Sequence, residues 1–82
     1  MYDDLITFRS ITPAQRGLAL LQGSGLCAAL LRTPRTLSAR GCGYCLAVKE
    51  TARAAALLRA QGVPFGGVFR LLPGGDTEEV AL

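Results

Sequence analysis

Two helix-forming stretches, each closed by glycine and each set between runs of β-favouring residues, limit the folds open to this chain more than any other feature. Residues 2–8 mix apolar and β-favouring side chains and stop before Ser10, which suits a short strand. A helix signal follows. Thr12 is placed to cap the N-terminus, Pro13 fits the first helical position, and Gln15 completes a Thr-x-x-Gln capping box. Ala14, Leu18 and Leu21 then make one apolar stripe, and Gly23-Ser24-Gly25 ends the helix. Residues 26–32 read as a second strand, 33–41 as an irregular loop and 43–48 as a third strand. Glu50 or Thr51 opens a second helix with Ala54, Leu57 and Leu58 on one face. Gly62 ends it, Val63-Pro64 turns the chain, and residues 65–72 form the last strand before the Pro73-Gly74-Gly75 break. The order is βαββαβ. It is most economically satisfied by an α+β, ferredoxin-like sandwich: a four-stranded antiparallel sheet with two helices on one face and the other face free. Residues 1–73 are expected to form this single domain, and residues 74–82 an acidic, flexible C-terminal tail.

A chain of 82 residues has room for one core. Such a domain buries about two thirds or less of its unfolded-chain surface, so modest stability and self-association, as a homodimer, are the default expectations. The nine basic residues outnumber six acidic ones, and three of those acids fall at Asp76, Glu78 and Glu79. Eight of the nine are arginine, which suits an anionic ligand or partner. They form no run and interleave with no aromatic cluster, so nucleic acid is not expected as a partner. Asp3 and Asp4 stand where a secretory signal would carry basic residues, and no apolar run approaches the roughly 20 residues that cross a bilayer. A cytoplasmic protein without membrane contact is expected, and its three cysteines, an odd count, are expected to stay reduced.

In the βαββαβ topology the turn before the first helix (10–13), the long loop (33–42) and the turn after the second helix (62–65) emerge together. The loop is the chemically promising part, because connections of this length in compact domains are often functional. Arg32, Arg35 and Arg40 charge it positively, and Gly41 and Gly43 free the backbone on both sides of Cys42. Positive neighbours and a helix N-terminus lower a cysteine pKa from about 8.5 toward neutrality, and the thiolate is the attacking form. Cys42 is therefore the candidate nucleophile. Cys45, three residues on, is open to two readings: a packed core thiol, or a resolving partner for Cys42. Cys27 reads as a small core hydrophobe within the second strand. Ser38, with Arg35, Arg40, Gly41 and Gly43, completes the candidate ligand-binding set. With no histidine and only three cysteines, neither a metal site within one chain nor any other cofactor is expected.

The segment from Thr33-Pro34-Arg35 through Leu37-Ser38 to Cys42-Gly43-Tyr44-Cys45-Leu46 resembles a family of short proteins described as selenium/sulfur carrier-like. The opening Leu5-Ile6-Thr7-Phe8 and the closing turn and strand over residues 62–69 extend the likeness across most of the chain. The resemblance implies a small ferredoxin-like carrier near sulfur or selenium transfer, with Cys42 as the attachment point and donor and acceptor proteins as partners. Gly41 and Cys45 are additions to the family pattern. On this reading Cys42 holds the chalcogen as a persulfide or selenosulfide, with Cys45 as resolving thiol, and the protein is a carrier rather than a turnover enzyme. The alternative is a noncatalytic interaction or anionic-ligand-sensing module that dimerises through the open sheet face.

Overall fold

A computed structural model describes residue 2, residues 4–34 and residues 43–80. The elements are β1 (Asp4–Thr7), α1 (Ile11–Gly23), β2 (Ala28–Arg32), β3 (Tyr44–Val48), α2 (Thr51–Ala60), β4 (Gly67–Leu71), a 3-10 turn at Pro73–Gly75, and β5 (Thr77–Val80). The sheet is antiparallel throughout, in the order β2-β3-β1-β4-β5. β3 lies between β1 and β2, and β1 between β3 and β4, so the chain makes two interleaved split βαβ units. This α+β arrangement is compatible with the ferredoxin-like expectation, with one correction: among the described residues the sheet has five strands, not four. Thr77–Val80, read from sequence as part of a tail, pairs with β4 in the register Val68↔Val80 to Leu71↔Thr77.

Both helices end in the same device. Gly25 (φ 81°) and Gly62 (φ 71°) take the left-handed conformation that side chains resist. At α1 the Gly25 N–H donates to the Gln22 carbonyl and the Leu26 N–H to Leu21; at α2 the Gly62 N–H donates to Arg59 and the Val63 N–H to Leu58. These are Schellman motifs, with Leu26 buried beside Leu21 and Val63 beside Leu58. The second helix starts at Thr51 as read from sequence, but the start of α1 differs from expectation. Ser10, not Thr12, is the N-cap of α1, and Pro13 sits two positions further in, still in the first turn where its missing N–H costs no helical bond.

Alternation along the strands divides the sheet into two faces. Ile6, Leu46, Val48 and Val68 face the helices and pack with Ala14, Leu21, Ala54 and Leu58 in the main core. Gly17 lets α1 approach closely: a Cβ there would lie 3.2 Å from both Leu46 and Leu58. The far face corrects a second expectation, because its centre is not free. Leu5, Cys45, Ala47 and Phe69 form a separate buried cluster with Tyr2 against it. Among the described residues, no helix is long and apolar enough to cross a membrane.

Candidate functional site

The end of the sheet where β1 finishes gathers the turns that the topology predicts. Thr7 stands opposite Cys45 on one side and Gly67 on the other, and Arg32 pairs with Tyr44. The Thr33 N–H donates to the Gly43 carbonyl at 2.9 Å, carrying the β2–β3 ladder one rung past the strands. From the other side, the Gly66 N–H donates to the Thr7 carbonyl at 2.7 Å and the Gly67 N–H to Thr7 Oγ1 at 3.0 Å. The Gly66-Gly67 pair is thus a close backbone approach. A Cβ on Gly66 would lie 3.1 Å from that hydroxyl.

Cys42, Arg35, Ser38, Arg40 and Gly41 lie outside the described residues. Of the candidate ligand-binding set, Gly43 alone is described: it is exposed, has open space around it, and anchors the last rung of the hairpin. Cys45, the other candidate thiol, is fully buried in β3 on the face away from the helices. Cys27 is a further correction. It precedes β2 rather than lying within it, and its thiol is exposed while Leu26 and Ala28 on either side point inward.

The electrostatics of this end are cationic. α1 begins here with no side-chain capping bond at Ser10 and no acidic residue in its first turn, so the helix does not offset its own positive dipole end. Arg9 is exposed beside it, the Arg32 guanidinium lies 5.9 Å from the Tyr44 ring centroid, and that of Arg59 lies 5.3 Å from Phe65. Neither Arg9 nor Arg59 belongs to the cysteine loop in sequence. Only the fold brings them to the loop end. Among the described residues, no group of three or more His, Cys, Asp or Glu side chains is placed to hold a metal ion.

A second polar cluster, missed from sequence, lies at the opposite end of the strands. Asp4 is only 4% exposed, its Oδ2 accepts a hydrogen bond from Thr51 Oγ1, and its Oδ1 lies 3.6 Å from Arg70 Nε. The signal was a carboxylate at the head of an otherwise apolar strand; its partners, far along the chain, could not be read with it.

No curated protein and no solved structure gives a significant match. A family described as "Putative Se/S carrier protein-like" matches residues 3–70, from the residue before β1 to the penultimate residue of β4. The match takes in both helices, the cysteine loop and four of the five strands, and the chain therefore belongs to the Se/S carrier protein-like family.

Proposed function

We propose that this protein carries a sulfur or selenium atom on Cys42. The observation that carries the reading is the family match across the whole cysteine loop, supported by the cationic, uncapped α1 terminus at the same end of the sheet. In the loading step the Cys42 thiolate attacks the outer sulfur of a donor persulfide. The donor's S–S bond breaks, the donor leaves as a thiolate, and Cys42 becomes a persulfide with no net oxidation. A donor with selenium in the outer position gives a selenosulfide in the same way. In the release step an acceptor thiolate attacks the outer atom and expels Cys42. Arg35 and Arg40 stabilise the charged sulfur in both steps, and Ser38, Gly41 and Gly43 shape the loop around it.

The finer role of Cys45 divides two forms of this proposal. As a resolving thiol it would attack Cys42 Sγ, expel hydrosulfide, and leave a Cys42–Cys45 disulfide that a thiol reductant must open. Its complete burial favours release to an external acceptor instead. Incubation with a cysteine desulfurase and cysteine is expected to add the mass of one sulfur to the chain. Cys42→Ser should lose this gain, and Cys45→Ala should keep both loading and release. An unchanged mass beside a demonstrably active donor would overturn the carrier reading. It would leave the noncatalytic module, whose oligomeric state and anion binding Cys42→Ser should not alter. Burial of the far-face centre leaves that module only peripheral residues such as Leu31 and Leu71 for a sheet-face dimer.

A further inference from the structure

A cavity of about 850 Å³ opens beside the N-terminus of α2, at the end of the strands away from the cysteine loop. That volume is in the range of small-molecule sites. Tyr2, Asp4, Lys49, Thr51 and Arg70 bring polar groups to its lining, and Leu72, Pro73 and Val80 an apolar wall. Two features of opposite sign meet in it. The first attracts an anion. The Glu50 side chain at the N-cap makes no capping bond and instead accepts from Arg53 at 3.1 Å, and the first turn carries no acidic residue. Among the described residues no side chain caps the N–H groups of Thr51 and Ala52, which also lack an intrahelical acceptor, and exposed Lys49 and Arg70 add positive charge around them. The second needs a donor. Asp4 Oδ1 is buried and accepts no hydrogen bond, because Arg70 Nε at 3.6 Å is too distant to make one.

We propose that this cavity binds a free α-amino acid with an apolar side chain. The ligand carboxylate sits at the α2 N-terminus with Lys49 and Arg70, its ammonium donates to Asp4 Oδ1, and its side chain lies on the Leu72, Pro73 and Val80 wall. Arg70, whose side chain is more than half exposed, turns from Asp4 toward the carboxylate and opens that oxygen to the ligand. The charged groups lie within the family-matched residues and the apolar wall lies beyond residue 70, so the choice of side chain is a property of this chain's own C-terminal segment. The site is independent of sulfur carriage. Asp4 and Thr7, at opposite ends of β1, are about 10 Å apart along the strand.

Amide shifts of the full chain, followed by NMR during titration with L-leucine, L-methionine and L-phenylalanine, test this. Saturable shifts centred on Thr51, Ala52 and Arg70 are expected for at least one of them. The leucine analogues lacking the ammonium (4-methylpentanoate) or the carboxylate (3-methylbutylamine), glycine, and inorganic phosphate should each bind about tenfold more weakly or worse. Lys49→Gln, at an exposed position, should weaken binding about tenfold, and Cys42→Ser should leave it unchanged. Absence of saturable shifts with all three amino acids, binding of phosphate or 4-methylpentanoate as tight as that of the amino acid, or no effect of Lys49→Gln would overturn the proposal. Asp4→Asn should weaken binding without removing it; if that variant unfolds, the analogue series still decides.

Discussion

The two described cysteines occupy opposite environments, and native-state alkylation should separate them. Cys27 is exposed and Cys45 is fully buried. Peptide-resolved iodoacetamide labelling should therefore modify Cys27 at least about tenfold faster than Cys45, with the difference collapsing in denaturant, because access limits the buried thiol. Equal rates in the folded protein would mean that the β3 end opens freely, and would restore Cys45 as a resolving thiol. In the same experiment Arg35→Gln with Arg40→Gln should slow Cys42 labelling near neutral pH, and added salt should shrink that effect. Sequence reading put Cys27 inside a strand because residues 26–32 are all strand-compatible. Leu26 and Ala28 take the inward positions, so the residue between them points out. Identity alone does not set a cysteine's burial; the parity of its position does.

At the scale of elements, turn chemistry was legible and strand termini were not. Both helix ends were readable because only glycine takes φ near +70° to +80° without strain, and the structure uses Gly25 and Gly62 for that purpose. Gly62→Ala should cost about 1–2 kcal/mol in urea denaturation, from backbone strain alone, since a Cβ there meets no atom within 4 Å. A null result would mean that the α2 cap relaxes without loss. The α1 cap was misplaced by two residues because Ser10 and Thr12 are both competent cap residues, and only the backbone, extended at Ser10 and helical from Ile11, decides between them. β5 escaped notice for another reason. Its Thr-Glu-Glu-Val sequence has weak strand propensity, but an edge strand tolerates charge, and Glu78 lies opposite Arg70. The cysteine loop could be identified as the candidate site from charge and glycine placement. The amino-acid cavity could not, because Asp4, Thr51 and Arg70 meet only once β1, α2 and β4 are assembled.

The whole molecule is a sheet with a large apolar core against the helices and a smaller buried cluster behind. Leu46 sits at the centre of the larger one, fully buried and close to Gly17 of α1. Leu46→Ala should cost about 2–5 kcal/mol, a large part of the stability of so small a domain, and should lower the thermal midpoint correspondingly. A loss under about 1 kcal/mol would indicate that the helices collapse onto the vacated space. The placement of β1 has a separate consequence, for the order in which the chain can fold. The first strand in sequence is the middle strand of the sheet, flanked by β3 and by β4, whose Gly67 lies 60 residues from Thr7. During synthesis β1 must wait without its second neighbour until β4 has been made. No shorter intermediate satisfies the central strand, so acquisition of structure is expected to be a single event dominated by long-range pairing, and the cysteine loop gains its platform only after β4 has emerged from the ribosome.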